Sequence, residues 1–416
     1  MSLPFYDLRY FTSDGVFLQS LNIFEELEYG RRKNDIGAAS LLMPLNQYDI
    51  NIFKPGFFLE IWRFDEFSNS YNLVDKTIWV LAAIIFETKD DGTETIELTF
   101  YDSIYLLTYR VNPYFALDEA IYPLVEYPSI FTDQPLDDVA KYYVFHNFTT
   151  ATSNPLLNTQ APVTVVIPLP LSVTPGLRVT PLLIDPYLND APSATYAGSW
   201  NNVLEALQDI AKLSESLGTS LWFDIEYLPA DSFFTGSFIF KTWTVLRGSD
   251  VTQNIELSVE NGGFSSAKLE IDYTDAANIV YAIGIEDPVV ADGIDNIFNV
   301  SAFDNLVLPP FGLKEYVLDL SGDSNVSNKL NLLEVKARTE LQSRQGVFKL
   351  TGDVVQQGNL AFFKEYLYAD RIAVKYKGYT FESEIEKYTV TVNADGEKIR
   401  IPIESSKIIN NVTIQS

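Results

Sequence analysis

Near opposite ends of the chain, two segments share one pattern: an alternating apolar run, an Asp-Gly pair, and a second alternating run. The first is IIFETKDDGTETIELTF (Ile84–Phe100) and the second YTVTVNADGEKIRIPI (Tyr388–Ile403). Asp-Gly supplies the backbone angles of a tight hairpin, so Asp91-Gly92 and Asp395-Gly396 are read as turns. In the first segment Ile96, Leu98 and Phe100 alternate with Glu97 and Thr99, the pattern of a strand with one buried and one wet face. In the second, Tyr388, Val390 and Val392 precede the turn and Ile399, Ile401 and Ile403 follow it. Such pairs commit both ends of the chain to antiparallel sheet.

The N-terminal region supports this reading. Five or six short strand-like runs separated by Gly, Asp and Asn fit between Ser2 and Tyr109, which predicts a small barrel or sandwich. The fold expected is therefore mainly β with a few helices (β-rich α+β): two related small β-barrel domains at 1–110 and 265–416, with an inserted region at 111–264. The insertion opens with a proline- and aromatic-rich stretch, 111–192, that has no clean period. A helix over 200–217 follows, with Ser199 as cap, Gly218 as stop, and Val203, Leu207, Ile210, Ala211, Ser214 and Leu217 on one face. A second helix is expected at 327–344, presenting Leu330, Leu333, Ala337 and Leu341.

Composition narrows the chemistry. With 47% hydrophobic residues over 416 positions, sizeable cores are available. Twenty-nine Lys and Arg against 56 Asp and Glu leave a net charge of -27, which disfavours general binding to phosphate backbones. No cysteine is present, which excludes disulfides, thiolate zinc sites, iron–sulfur clusters and cysteine nucleophiles. The longest apolar stretch, VTVVIPLPL (Val163–Leu171), is short and broken by prolines, so no membrane-spanning segment is expected. No GxGxxG or GK[ST] loop is present, and no cofactor is assigned.

Four features of the sequence could carry chemistry. His146, the only histidine, reads as a packing or surface residue rather than a base. Asp287, Asp292, Asp295 and Asn296 read as a solvated loop, because they lack the spacing and terminal glutamate of a calcium loop. Abundant carboxylates permit a glycosidase pair without pointing to one. Trp62, Trp79, Trp200, Trp222 and Trp243 could stack sugars, but in strands and at a helix start they read as core. That leaves the basic knot Arg31-Arg32-Lys33, set between strand-like runs in an acidic chain.

The order of parts resembles the phage tail hub family, meaning the baseplate hub of contractile tails and the N-terminal tail-tip hub of long non-contractile tails. The segments that carry the likeness are ELEYGRRKNDIGAASLLMP, SWNNVLEALQDIAKLSESLGTSLWF, IDYTDAANIVYAIGI and YLYADRIAVKYKGYTFESEIEKYTVTVNADGEKIRIPI, the last beginning its strand after Asp370-Arg371. The resemblance implies a structural virion protein without catalysis. It implies a homotrimer whose two related barrels per subunit form a pseudo-sixfold ring at the tail tip, made in the host cytoplasm. A tail tube or distal tail protein ring would lie above it and a fibre, spike or other tip protein below. Three copies of -27 sum to -81, so DNA would pass an acidic channel without specific binding. Arg31, Arg32 and Lys33 would then sit in a hairpin turn and pair with carboxylates of a neighbouring subunit or ring. The sequence ends at Ser416 without a fibre-like, lysozyme-like or peptidase-like extension, so a hub alone is expected. The alternatives are a receptor- or carbohydrate-binding tail protein and a carboxylate-dependent glycosidase.

Overall fold

A computed structural model of the chain describes residues 6–65, 68–88, 90–110, 115–116, 126–127, 129–148, 182–198, 201–229, 237–272, 274–275, 277–285, 297–303, 314–320, 347–355, 361–405 and 407–411. It also describes the isolated positions 333, 336–337, 340–341 and 344. Two compact units are present, each built from discontinuous segments. The larger takes Met1–Gly263, Asp353–Ala373 and Glu384–Pro402; the smaller takes Phe264–Gly352, Val374–Ser383 and Ile403–Ser416.

The chain is mostly β, as expected. In the larger unit, β1 (Tyr6–Phe11), β2 (Phe17–Ser20), β3 (Glu26–Arg32), β4 (Asp35–Pro44), β5 (Phe58–Asp65), β6 (Ser70–Leu73), β7 (Trp79–Thr88) and β8 (Glu94–Asp102) share one antiparallel sheet. Its order is β3-β4-β8-β7-β5-β1-β2, with β6 beside β5. The C-terminal hairpin, Lys387–Asn393 and Gly396–Ser405, does not belong to a separate C-terminal barrel. It adds to this same sheet, Val390 opposite Tyr29 and Val392 opposite Leu27.

Alternation sorts the side chains. Leu27, Leu41, Leu98, Phe100 and Val390 are wholly buried on the inner face, while Glu28, Ser40, Thr99 and Thr391 lie outward. The sheet is rolled, because residues from distant strands meet inside it. The Tyr6 and Tyr29 hydroxyls are 3.0 Å apart, and the Tyr29 ring lies 6.2 Å from those of both Trp79 and Tyr388. The roll is finished by side chains. Arg63 on β5 donates Nε and Nη2 to Glu397 on the strand Gly396–Ser405 at 2.9 and 2.8 Å. Among the described residues no backbone pairing closes the sheet.

Against the roll packs a second layer. It contains α1 (Leu136–Phe148), α2 (Val203–Ser216) and a three-stranded sheet of Leu182–Ile184, Ser237–Trp243 and Trp222–Leu228. Val203, Leu207 and Ile210 of α2 share a core with Val139, Tyr143, Phe223 and Phe240. Asn202 caps α2: its Oδ1 accepts from the Glu205 backbone at 2.9 Å, and the Glu205 carboxylate accepts from the Asn202 backbone at 3.2 Å. The expected cap, Ser199, lies outside the described residues. Helix α1 falls within the stretch expected to be irregular, and 149–181 of that stretch lie outside the description.

In the smaller unit, Ile279–Ile285 pairs with Ile297–Phe303 and, in parallel, with Glu315–Asp319. Leu333, Ala337 and Leu341 are helical and pack with Val280 and Ala282. These three belong to the helix expected at 327–344; Leu330 lies outside the described residues.

Candidate functional site

The basic knot is the tip of the β3–β4 hairpin. Lys33 and Asn34 form its turn, with Asn34 in the left-handed region (φ 54°) that asparagine tolerates, and a bulge follows Gly30. Strand alternation sends the three cations in different directions. Arg31 points inward and is 1% exposed, the Arg32 side chain is 67% exposed, and Lys33 lies between them.

Arg31 is the centre of a buried charge cluster. Its Nε donates to Asp102 Oδ2 at 3.1 Å and its Nη2 to Asp224 Oδ1 at 2.6 Å. Arg247 Nη2 lies 2.5 Å from the other Asp224 oxygen. The Tyr368 ring sits beside both guanidinium groups, 5.5 Å from Arg31 and 5.0 Å from Arg247. Nearby, the Tyr388 hydroxyl donates to Asp75. Close packing needs glycine here: a Cβ at Gly37 would lie 2.6 Å from the Gly30 carbonyl oxygen and 2.7 Å from Asp102 Oδ2.

Two guanidinium groups face three carboxyls, Asp75, Asp102 and Asp224, so the carboxyls titrate differently. Burial, only partly offset by Arg31, pushes Asp102 up to about 7. Burial also raises Asp75 against the pull of Arg31 and of the Tyr388 hydrogen bond. At Asp224 burial is outweighed by Arg31 and Arg247 together, which hold it below the usual carboxylate range. The cluster links β3, β8, the strand Trp222–Leu228 and the segment around Tyr368, all inside the larger unit. It is built as a clamp.

Lys33 and Asn34 extend that clamp. Lys33 Nζ reaches Glu386 at 2.9 Å, Glu215 on α2 at 3.2 Å and Ser220 at 3.0 Å, with the Trp222 ring 5.1 Å away. Asn34 Oδ1 accepts from the Phe223 backbone at 2.8 Å, and its Nδ2 donates to the Leu221 carbonyl at 2.7 Å. The partners of Arg31 and Lys33 are therefore carboxylates of their own chain. Among the described residues Arg32 pairs only with Asp35, at 3.9 Å. Sequence reasoning found the cations but not Asp102, Asp224 or Arg247, since a pair 193 residues apart leaves no local pattern.

The other sequence-derived positions fall as follows. Asp91 and Gly92 (φ 79°) lie in the β7–β8 connection, and Asp395 lies in the loop that Gly396 (φ 112°) closes against Asn393. Trp79 and Trp222 are core residues, 0% and 1% exposed, and Trp62 is covered by the Arg9 guanidinium at 4.3 Å. Trp200 and the residues Asp287, Asp292, Asp295 and Asn296 lie outside the described residues. His146 is in α1, but its side chain is outside the description. Among the described residues no three His, Asp or Glu side chains are placed to hold a metal ion. No described helix is long and apolar enough to cross a membrane.

Solved phage tail proteins have a similar fold. The tail protein from Neisseria meningitidis MC58 aligns with 96% of this chain and 97% of its own, at 12% identity and a TM-score of 0.51. The 43 kDa tail protein of prophage MuSo2 from Shewanella oneidensis aligns with 96% of this chain and 98% of its own, at 10% identity and a TM-score of 0.52. What they share with this chain is the fold. The family model of the Siphovirus ReqiPepy6 Gp37-like protein matches residues 8–403, and the chain belongs to that family. No curated protein matches the sequence.

Proposed function

We propose that this chain is a structural protein of the phage tail, the trimeric hub at the tail tip. It joins the hexameric tail tube to the distal tip and carries no catalytic step. The observation that carries this reading is the family match over 8–403 together with a phage-tail fold running along 96% of the chain. A homotrimer with two sheet-rich modules per copy can meet a sixfold partner, and its summed charge of three times -27 keeps DNA moving past its wall. A tube or distal tail ring above and a fibre or spike below are the partners. Arg32, the cation of the knot turned to solvent, is the member that meets a neighbouring copy.

Gold-labelled antibody against the chain, imaged on intact virions, tests the placement. Label confined to the end of the tail distal to the head supports the hub. Label along the shaft, on the head, or absent from virions while present in lysate contradicts it.

For the sugar-binding alternative, Trp79 and Trp222 are core residues and not open to a sugar.

A further inference from the structure

At one end of the roll three connections lie together, and strand register fixes their place. β1 leaves the sheet at Phe11, which faces Phe58 at the start of β5, and Phe58 in turn faces Val80 of β7. The β1–β2 turn, the loop 45–57 that leads into β5, and the part of β7 beyond Val80 therefore share one end of the larger unit. Contacts tie them to each other. The Leu81 amide donates to the Phe57 carbonyl at 2.8 Å, and the Tyr10 ring lies 5.5 Å from that of Phe53 and 6.0 Å from that of Phe57.

This end combines apolar and acidic side chains. Val16, Phe17, Ile50, Ile85 and Phe86 are each between 44% and 54% exposed. Large apolar side chains exposed as a group mark an interaction site. The same connections expose Asp14, Asp49, Glu87, Asp90, Asp91 and Glu94, and among the described residues Lys54 is the one exposed cation they present.

β7 adds a backbone feature. Its pairing with β5 stops at Val80, whereas its pairing with β8 continues to Thr88 opposite Glu94, so among the described residues Ala83–Thr88 has one open edge. Ile85, opposite Glu97, and Phe86, opposite Ile96, point to the two faces of this arm, and both are exposed. Ala83–Phe86 holds neither proline nor charge, the devices that keep a free edge from pairing.

We propose that this end docks an extended apolar segment of another tail protein, flanked by Lys or Arg. The segment lies along Ala83–Thr88 and packs on Ile85 and Phe86, and its cations meet the acidic side chains around them. A second copy of the chain presenting the same end would set carboxylates against carboxylates, which disfavours that occupant. This inference rests on the reading that the chain is a tail component, and it adds the surface and the chemistry of one partner.

The test is photocrosslinking in intact virions assembled with p-benzoylphenylalanine in place of Phe86, the adducts being identified by mass spectrometry. An adduct to an apolar segment of a different tail protein, with Lys or Arg beside it, is expected. Binding of the full chain to that purified protein should then weaken about tenfold or more with Ile85→Asp and Phe86→Asp together. Glu87→Lys with Glu94→Lys should weaken it as well, and so should added salt. An adduct to a second copy of the chain, or none to any virion protein, overturns this inference and leaves the hub reading to the antibody label. An adduct to a head protein overturns both. A tail partner whose binding ignores the two pairs of substitutions, in chains whose thermal unfolding is unchanged, overturns this inference alone.

Discussion

Arg31, Arg32 and Lys33 are consecutive, yet their environments differ more than those of most residues far apart. Arg31 is sealed between Asp102 and Asp224, while Arg32 is open to solvent. Removing one partner of a buried ion pair leaves charge without compensation, so Arg31→Met should destabilise the larger unit by about 3–5 kcal/mol. Arg32→Met should change stability by less than about 0.5 kcal/mol, as exposed substitutions do. Urea unfolding of the two variants checks the contrast, and equal effects would mean the clamp does not exist. The clamp also gives stability a pH dependence. Asp102 is raised to about 7 in the folded chain and has an ordinary carboxylate value when unfolded, so the folded state holds the extra proton. Its contribution is fully present below about pH 4 and lost as pH rises through 7. Asp224 is lowered, and its contribution has the opposite sign, lost only as pH falls below the usual carboxylate range. Unfolding measured from pH 4 to 8 should therefore show a loss attributable to Asp102 that Asp102→Asn flattens.

At the scale of elements, hairpins and helices show where local sequence is enough. The α2 stripe was legible because Val203, Leu207, Ile210, Ala211 and Ser214 are all buried. Its cap is Asn202, and Asn202→Ala should cost about 1 kcal/mol in thermal or urea unfolding. Leu217, read as part of the stripe, is instead the C-cap and 41% exposed. Helix α1 was missed because its buried face includes Asp137, Asp138 and Lys141, which interrupt any apolar period. The two carboxylates accept backbone N–H groups from Ala191 and Leu188, and Lys141 donates to the Pro186 carbonyl, so most of this buried polar face is hydrogen-bonded, while Asp138 Oδ2 has no partner among the described residues. The turns at Gly92 and Gly396 were legible from Asp-Gly alone. The strand beside the last hairpin was not, because β3 lies at the other end of the chain. Gly37 marks the same limit: nothing nearby in sequence says that Asp102 and the Gly30 carbonyl crowd it. Gly37→Ala should cost about 1–3 kcal/mol through overpacking, and unchanged unfolding would contradict the close approach.

For the whole molecule, the likeness between the two Asp-Gly hairpins suggested two separate barrels, and the larger unit instead gathers both hairpins into one rolled sheet. Strands from both ends of the chain thus meet in one sheet. Assembly is where the account is most exposed. Negative-stain electron microscopy of the purified full chain, each copy 46.9 kDa, measures it directly. The account predicts threefold rings with a central hole whose inner wall reads as nearly sixfold; compact single-copy particles without a channel at every concentration would contradict it.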